Sequence, residues 1–442
     1  MMTAAQRSGQ YVVAGLGKTG LSCVRFLQQQ GLPFKVWDTR ADFQVSDALA
    51  QEVNAEITCG SLPENYWQGV TNLVLSPGIA TDLPAVKNAR QAGVAVIGDI
   101  ELFAGKVSHP VIGVTGSNGK TTVTLLTTHI LRQLGINAVA AGNVGLPALD
   151  SLNESAAVTV LELSSFQLDT THSLNLAAGA ILNISADHLD RHHTLAAYGE
   201  AKQRIFNHCQ VAVINRDDAN TKPAKAVEHL LTVGGTASAT GFGWQQEPQL
   251  ITFNGEPLLA MTDTALVGLH NVLNIQTALA LVSVLSNDIQ AAAEAVKSFK
   301  PAPHRCTKVA QVAGVSFIDD SKATNIGATQ AALAGLAGSL PGKLILIAGG
   351  DAKGADLTEL APLLDKYVDT VIAIGRDGKV LSEIAAQGSY VNSLSEAVQQ
   401  AFAMAAEGDT VLLSPACASL DMFSSYQHRA EVFYQAVMEL TA

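Results

Sequence analysis

The stretch VIGVTGSNGKTT, residues 111–122, decides the fold of the central part of the chain. Residues 111–114 form an apolar run with the composition of a buried strand, and residues 120–134 have the composition of a helix that Gly135 ends. A glycine-containing turn separates the two. This order places backbone N–H groups and the positive end of the helix dipole where they bind phosphate. The stretch therefore predicts an α/β unit with a nucleotide site.

The turn is a variant of the Walker pattern GxxxxGK[ST], because Val114 occupies the position of the first glycine. Lys120 is predicted to contact the β- and γ-phosphates of ATP, and Thr121 to offer its hydroxyl to Mg²⁺. The alternative, a glycine turn with an exposed lysine, is disfavoured by the flanking strand and helix. The predicted phosphate-binding residues are Gly116, Ser117, Asn118, Gly119, Lys120, Thr121 and Thr122.

Acidic residues and a histidine follow two further apolar runs. Glu162 ends the run at 158–161, and Asp187 and His188 follow the run at 181–184. Because parallel strands present their carboxyl ends at one sheet edge, Glu162 is predicted to organise a metal ion and His188 to face the phosphates. His192 and His193 lie in a polar stretch and are predicted to form a solvated helix start.

A second glycine turn, GLGKTG at 15–20, follows the predicted strand at 11–14. It matches GxGxxG, and Asp38 follows the next strand, so the motif alone suggests a dinucleotide site. Nothing else in the sequence resembles a hydride-transfer apparatus. We interpret the turn as a site for a substrate diphosphate, with Asp38, Thr39 and Arg40 near its nucleoside.

The remaining pattern predicts an α/β protein of three domains: a Rossmann-like domain at 1–97, a central P-loop ATPase domain at 98–301 and a Rossmann-like domain at 302–442. Turn residues after the strand at 94–97 mark the first boundary, and Pro301-Ala302-Pro303 marks the second. Residues 234–268 are predicted to be a β-rich excursion within the central domain.

Composition restricts the partners and the compartment. The 442 residues are 48% hydrophobic and 15% charged, and the net charge of −12 provides no general attraction for nucleic acid or for an anionic membrane. Cys23, Cys59, Cys209, Cys306 and Cys417 have no metal-like spacing and are predicted to be small buried hydrophobes. The polar start and the lack of a long apolar run predict a cytoplasmic protein.

Several strings together resemble the Mur ligases of peptidoglycan synthesis, over nearly the whole chain. They are GSNGKTT at 116–122, ELSSFQ at 162–167, Asp187-His188, His270-Asn271 with Asn274, and His304-Arg305. Within that family, DSKATN at 320–325, GGD at 349–351 and SPACAS at 414–419 are most similar to the members that add D-glutamate.

The resemblance implies sites for three small-molecule substrates. For ATP it implies Asn271 at the adenine, Arg305 at the phosphates and Asp320 at the ribose, with Lys322 near the reacting groups. For a UDP-linked sugar it implies Lys18, Thr19, Ser76 and Asn143. For D-glutamate it implies Thr324, Lys353, Ser419, Leu420 and Tyr426, the last standing where relatives have phenylalanine.

The resemblance also implies a carbamylated lysine at Lys202. The residues alone favour an exposed helical turn at 201–204, but a second Mg²⁺ near His188 needs a hard anionic ligand that a carbamate provides. The implied metal ligands are Thr121, Glu162, His188 and Lys202, for two Mg²⁺ ions. The implied catalytic residues are Lys120, His188, Lys202, Arg305 and Lys322.

The implied activity is activation of a carboxylate as an acyl phosphate, followed by attack of an amino acid's amine, in a monomeric enzyme. The first alternative is a related ligase, such as folylpolyglutamate synthetase or a Mur ligase for another amino acid. The second is a nicotinamide oxidoreductase built on the turn at 15–20. A P-loop GTPase is disfavoured because no N-K-x-D motif follows the P-loop.

Overall fold

A computed structural model describes residues 9–266, 268–336 and 340–440. In it the predicted first sheet is parallel, with strand order β3-β2-β1-β4-β5. Because the order reverses between β1 and β4, the carboxyl ends of these two strands border a crevice, where ligands bind in such sheets. The strands are Gln10–Ala14 (β1), Phe34–Asp38 (β2), Ile57–Cys59 (β3), Val70–Leu75 (β4) and Ala95–Ile97 (β5). The helices are Lys18–Gln29 (α1), Asp47–Val53 (α2) and Pro84–Gln91 (α3).

The second sheet is also parallel, in the order β11-β10-β9-β6-β8-β7, and β6 lies between β9 and β8. Its strands are Val111–Thr115 (β6), Ala138–Gly142 (β7), Val158–Glu162 (β8), Leu176–Ile181 (β9), Cys209–Asn215 (β10) and His229–Val233 (β11). Its helices are Asp99–Ala104 (α4), Lys120–Gln133 (α5), Ser165–Asp169 (α6), Leu189–His192 (α7), Leu195–Gln203 (α8), Leu269–Ser283 (α9) and Ile289–Val296 (α10). Short 3₁₀ turns lie at Asp150–Asn153, Arg204–Phe206, Ala219–Thr221 and Met261–Asp263.

The predicted β-rich excursion is a small antiparallel sheet between β11 and α9. It consists of Phe242–Gln245 (β12), Leu250–Phe253 (β13) and Glu256–Ala260 (β14). Phe242 and Ile251 of this sheet join the apolar cluster of the second sheet, which also contains Leu126 of α5 and Leu279 of α9. The excursion is therefore packed onto the central unit.

The third sheet has the order β15-β16-β20-β17-β18-β19, with β15 antiparallel and the others parallel. Its strands are Thr307–Val312 (β15), Val315–Asp319 (β16), Leu344–Gly349 (β17), Thr370–Ile374 (β18), Gly388–Tyr390 (β19) and Thr410–Leu413 (β20). Its helices are Ile326–Leu336 (α11), Ala361–Tyr367 (α12), Gly378–Ile384 (α13), Leu394–Met404 (α14) and Tyr426–Glu439 (α15), with a 3₁₀ turn at Leu357–Leu360. The predicted α/β fold class of three units is confirmed; the boundaries at 97/98 and 301/302 stay predictions.

The cysteine prediction was wrong at two positions. Cys23, Cys209 and Cys417 are buried, but Cys59 is half-buried and Cys306 is exposed. Cys306 follows the proline linker and precedes the outer, antiparallel strand β15, and it is exposed because it lines an open cleft. Among the helices of the described residues, none combines the length and the apolar character needed to span a membrane.

Candidate active site

The phosphate loop joins the carboxyl end of β6 to the amino end of α5. Its glycines have left-handed φ angles, 151° at Gly116 and 85° at Gly119, which residues with a Cβ rarely adopt. A Cβ at Gly119 would also lie 2.5 Å from Oδ1 of Asn274. Backbone N–H groups rather than side chains therefore line the loop, as a phosphate site requires.

The Lys120 ammonium folds across this loop. Its Nζ donates to the carbonyl oxygens of Gly116, at 2.8 Å, and Ser117, at 2.9 Å. Burial lowers the pKa of Lys120, while the nearby carboxylates of Glu162 and Asp187 act in the opposite direction. The cation is thus held where it would meet a bound phosphate.

A second loop, directly after β9, fixes the shape of the first. Asn183 Oδ1 accepts from the Asn118 N–H at 2.9 Å, and Ser117 Oγ donates to the Ser185 carbonyl oxygen at 2.9 Å. The Ser185 N–H donates back to Ser117 Oγ at 2.9 Å. Asn183 and Ser185 were not among the predicted site residues, although their position soon after a buried strand was a usable signal.

Glu162 is the last residue of β8 and is 2% exposed. Its Oε1 accepts from Asn143 Nδ2 at 2.6 Å, whereas its Oε2 is buried and has no hydrogen-bond partner among the described residues. A buried carboxylate oxygen without a partner is costly unless a cation meets it. Glu162 and Thr121 of the phosphate loop line the same cavity, and a carboxylate and a hydroxyl are oxygen ligands that suit Mg²⁺.

Lys202 is fully buried in α8, at 1% exposure, so the exposed position that the residues alone favoured is wrong for this lysine. Its Nζ donates to the Gly116 carbonyl oxygen at 2.9 Å and lies 3.5 Å from Thr115 Oγ1. Burial, reinforced by the neighbouring Lys120 ammonium, lowers the pKa of Lys202 well below its ordinary value. The side chain therefore points into the phosphate loop and readily becomes a neutral amine.

Asp187 and His188 lie beyond β9, at the same sheet edge. The Asp187 carboxylate pairs with the Lys353 ammonium and accepts from Asn325 Nδ2 at 3.1 Å. Burial would raise the pKa of Asp187, but Lys353 and His188 outweigh it and the pKa is lowered. Burial lowers the pKa of His188 to about 4, so its imidazole is neutral near pH 7, as a metal ligand must be.

The prediction for His192 was wrong in part. His192 ends α7 and is half-buried: its ring stacks on Phe166 with an interplanar angle of 2°, and its Nε2 lies 2.9 Å from Ser165 Oγ. His193 is exposed, as predicted, and its φ of 64° ends the helix. The polar composition that suggested solvation did not reveal that Phe166 of another helix packs there.

A cavity of about 590 Å³ lies where the three units meet. Pro77 and Gly78 reach it from the first unit, and the phosphate loop, Glu162, His188 and Lys202 line it from the central unit. The predicted nucleotide residues that also line it are Asn271, Arg305, Asp320 and Lys322. Predicted residues from distant parts of the sequence thus share one cleft.

Two of these side chains in the third unit have perturbed acidity. Burial raises the pKa of Asp320 to about 7, although Ser414 Oγ donates to its Oδ2 at 2.7 Å. Burial, with help from the Arg305 guanidinium, lowers the pKa of Lys322 to about 8. The Lys322 ammonium lies 4.3 Å from the centroid of the Tyr426 ring. Such groups suit binding of polar ligands in a dry cleft.

The residues predicted for the amino acid are only partly brought together. Thr324 lines the cavity, while Lys353 is turned to Asp187 and Ser419 is buried at 4% exposure. Leu420 is 74% exposed, and Tyr426 packs beside Lys322. In the described structure the lining therefore contains only one of the five residues predicted for D-glutamate.

Two loops that carry predicted amino-acid ligands are joined to each other. The Asp351 N–H donates to the Ala418 carbonyl oxygen at 3.1 Å, and the Ala418 N–H donates back at 2.8 Å. Asp351 Oδ1 accepts from the N–H of Lys353, whose φ is 54°, at 2.9 Å. The carboxylate of Asp351 thus holds the backbone of Lys353 in an unusual conformation.

In the first unit, Asp38 has a structural role. Its carboxylate is 2% exposed, accepts from the Leu16 N–H at 3.0 Å, and forms two bonds with Arg40, at 2.8 and 2.9 Å. The hydrogen bonds from Arg40 lower the pKa of Asp38 to about 2. Asp38 therefore anchors the glycine turn, with Arg40 and the exposed Thr39 directly beside it in the chain.

Of the other residues predicted for the UDP-linked sugar, Lys18 and Thr19 follow β1, and Ser76 follows β4. Ser76 Oγ lies 3.4 Å from the Gly15 carbonyl oxygen, and Thr19 lies in the first turn of α1. Lys18 Nζ donates to the Gly145 carbonyl oxygen of the central unit at 3.3 Å. Asn143, which donates to Glu162, follows β7 of the central unit and lies two residues before Gly145 in the chain.

A phosphate loop beside a carboxylate with an unpaired oxygen, in a cleft that three α/β units share, defines a nucleotide-dependent enzyme. Comparison with known proteins narrows this class. The Mur ligase MurD-like N-terminal domain matches residues 9–98, the Mur ligase middle domain matches residues 114–282, and the glutamate ligase domain of Mur ligases matches residues 304–417.

Two relatives are named UDP-N-acetylmuramoylalanine–D-glutamate ligase. That of Methylobacillus flagellatus is 46% identical over 98% of this chain and 97% of its own, and that of Alcanivorax borkumensis is 42% identical over 98% and 99%. A solved structure of MurF ligase from Thermotoga maritima in complex with ADP has the same fold, with a TM-score of 0.60, 18% identity, and coverage of 99% of this chain and 100% of its own. The chain belongs to the Mur ligase family.

Proposed function

We propose that this protein is an ATP-dependent ligase that joins D-glutamate to UDP-N-acetylmuramoyl-L-alanine through an acyl phosphate, in peptidoglycan precursor synthesis. The observation that carries the proposal is the shared cleft, in which Lys120, Glu162 and Lys202 of the central unit face Arg305 and Lys322 of the third. Near-full-length relatives named for this reaction support it and favour it over a nicotinamide oxidoreductase.

ATP is assigned to the phosphate loop, residues 116–122, with its base toward Asn271 and its ribose at Asp320. The cleft beside Asn271 is lined by apolar side chains, which suits a base. Lys120 and Arg305 supply positive charge for the phosphates. These cations act in a buried cleft, where an electrostatic contact is stronger than in water.

The chemistry has two steps. A carboxylate oxygen of the L-alanyl group attacks the γ-phosphorus of ATP, the bond to the β,γ-bridging oxygen breaks, and ADP leaves. The amine of D-glutamate then attacks the carbonyl carbon of the acyl phosphate, and phosphate departs as the amide forms and the amine loses protons. Lys120, Arg305 and Lys322 offset the charge that collects on the transferred phosphoryl group.

Two Mg²⁺ ions are assigned to the same edge of the central sheet. Thr121 and Glu162 would hold one, and His188 and a carbamylated Lys202 the other. Bound Mg²⁺ would neutralise charge on the phosphates. The support is the unpaired Oε2 of Glu162, the neutral imidazole of His188, and the buried amine of Lys202.

UDP-N-acetylmuramoyl-L-alanine is assigned to the crevice of the first unit, with Lys18, Thr19 and Ser76 near the diphosphate and Asp38, Thr39 and Arg40 near the nucleoside. Asn143, which lines the cavity and donates to Glu162, would contact the sugar. The crevice opens toward the phosphate loop through Pro77 and Gly78, so the L-alanyl carboxylate can approach the γ-phosphate.

D-Glutamate is assigned to the third unit. Thr324, Lys353 and Ser419 would replace the water around its two carboxylates, with Leu420 and Tyr426 at the edge of the site. Lys353 already pairs with one carboxylate, that of Asp187, so the amino acid would compete with Asp187 for this cation. We further propose that the protein acts in the cytoplasm, because ATP and UDP-linked sugars are cytoplasmic substrates. We also propose that it is a monomer.

The direct test is phosphate release from ATP with UDP-N-acetylmuramoyl-L-alanine and a panel of D- and L-amino acids. D-Glutamate should support turnover, and L-glutamate and D-alanine should not. A preference for another amino acid would contradict the substrate assignment while keeping the ligase chemistry. No phosphate release with any amino acid would contradict the function itself.

A further inference from the structure

The segment at 187–192, which we call the junction segment, contacts both neighbouring units. On the side of the third unit, Asp187 pairs with Lys353, and the Asp190 N–H donates to the Lys353 carbonyl oxygen at 3.2 Å. On the side of the first unit, Arg191 reaches the loop that follows β4. His188, assigned to the metal, lies between these two contacts.

Arg191 makes its contacts with backbone and ring atoms. Its Nη2 donates to the Ile79 carbonyl oxygen at 3.1 Å, and its Nη1 donates to the Gly78 carbonyl oxygen at 3.4 Å. The guanidinium carbon lies 4.3 Å from the centroid of the Phe166 ring. Within the part of the chain that the structure describes, no carboxylate oxygen lies within 4.0 Å of this guanidinium.

Phe166 connects this contact to the catalytic edge. Its ring packs on the His188 ring with centroids 5.0 Å apart, and it stacks on the His192 ring at 5.3 Å. One aromatic side chain thus contacts Arg191, His188 and His192. A planar guanidinium can stack on this ring and donate two N–H groups in fixed directions. It therefore fixes both the position and the orientation of the loop it contacts, which an ammonium does less well.

The loop that Arg191 holds begins at Ser76, which is assigned to the UDP-linked sugar, and its residues Pro77 and Gly78 line the catalytic cavity. A shift of this loop would move the substrate's carboxylate relative to the γ-phosphate. Misplacement of about 1 Å is enough to lose much of the rate of a positioned reaction.

We propose that Arg191 is a positioning residue for UDP-N-acetylmuramoyl-L-alanine: it sets the loop at 76–79 against the phosphate loop and His188. This rests on the proposed function. Arg191 acts through the loop and through Phe166, and it has no chemical role in either transfer step. Its loss should therefore affect the UDP-linked substrate selectively.

The test compares Arg191→Ala, Arg191→Lys and a control, Arg204→Ala. Arg204 is an exposed arginine of the same unit whose Nε lies 3.8 Å from Asp169 Oδ1. Binding of UDP-N-acetylmuramoyl-L-alanine is measured by calorimetry without ATP, and KM for each substrate by phosphate release. Arg191→Ala should weaken binding of the UDP-linked substrate by about tenfold and leave KM for ATP within about twofold.

Arg191→Lys should recover part of this loss, because an ammonium can donate to one carbonyl oxygen, and Arg204→Ala should behave as the wild type. Equal binding of the substrate by wild type and Arg191→Ala would overturn the proposal. A similar rise in KM for all three substrates, with a matching fall in Tm, would also overturn it, because it would indicate a purely structural role. A wild type that does not bind the UDP-linked substrate would instead defeat the proposed function, and this inference with it.

Discussion

At the scale of single residues, the site is built from charged groups that have lost their water. Lys120 and Lys202 donate to the same acceptor, the Gly116 carbonyl oxygen. Two ammonium groups on one oxygen repel each other, and burial lowers the pKa of both. The repulsion between the two ammonium groups disappears if one lysine is converted to an anionic carbamate. Lys202, whose pKa is lowered well below its ordinary value, is the better candidate for this modification.

We therefore predict that Lys202 is carbamylated in the active enzyme. Mass spectrometry under mild conditions, or electron density, should reveal one added carbon dioxide, and removal of carbon dioxide from the buffer should lower activity. Lys202→Ala should reduce kcat by roughly 100-fold through loss of a metal ligand, while the exposed Lys225→Ala should not. Full activity of Lys202→Ala with unchanged Mg²⁺ dependence would contradict the carbamate.

A second residue-scale prediction concerns pH. The pKa of Asp320 is raised by burial from 3.8 to about 7, so between these values the folded protein binds more protons than the unfolded chain. Its contribution to the free energy of unfolding is therefore full below about 3.8 and is lost as pH rises through about 7. Asp320→Asn cannot titrate.

The Tm of the wild type minus that of Asp320→Asn should accordingly fall by a few degrees, about 3 °C, from pH 5 to pH 8. Thermal unfolding followed by circular dichroism at both pH values measures this. A Tm difference that is the same at pH 5 and pH 8 would mean that burial does not raise this pKa.

At the scale of elements, the sequence predicted local structure well where glycine, proline or a buried apolar run marks it. The strand and helix around the phosphate loop were predicted to within one residue. The strand His229–Val233 was missed because it lies at a sheet edge and is largely exposed, so its apolar pattern is weak.

Contacts between elements of different units could not be predicted from the sequence. Asn325 bonds Asn118 across 207 residues, and Lys353 bonds Asp187 across 166 residues. Each residue alone is an ordinary polar side chain at the end of a strand or in a loop. Their meeting depends on how two folded units dock, which neither periodicity nor spacing encodes. The family resemblance provided the role of Lys353, but not its partner.

The loop after β17 carries the element-scale prediction. Lys353→Ala should raise KM for D-glutamate by about tenfold or more, because a carboxylate of the amino acid loses its charged partner, and should change KM for ATP little. Lys379→Ala, an exposed lysine of the same unit, is the control. Steady-state phosphate release with each substrate varied in turn measures both constants. Equal increases in the two would assign Lys353 to the nucleotide.

At the scale of the whole molecule, the units are joined in different ways. One apolar cluster contains buried residues of both the first and the second sheet, such as Val13 and Leu161. Among the described residues, the clusters of the third sheet contain only side chains of that unit. The third unit is linked to the central unit by polar contacts, which include the Asn118–Asn325 hydrogen bond and the Asp187–Lys353 ion pair. Because no apolar cluster of the described residues spans the central and third units, the third unit is the one whose position a substrate can shift.

This division of ligands among units gives the last prediction. Lys120 lies on the phosphate loop of the central unit, while the UDP-linked substrate is assigned to the crevice of the first. Removal of the Lys120 ammonium should therefore abolish phosphate release without weakening binding of the UDP-linked substrate. Lys120→Ala should lower phosphate release to below about 1% of wild type, because charge on the transferred phosphoryl group is no longer offset. Calorimetry should find the affinity for UDP-N-acetylmuramoyl-L-alanine within about twofold of wild type. Lys106→Ala, an exposed lysine in the same unit, should leave both unchanged. Turnover of Lys120→Ala within a few-fold of wild type would show that the loop at 116–122 does not hold the reacting phosphates.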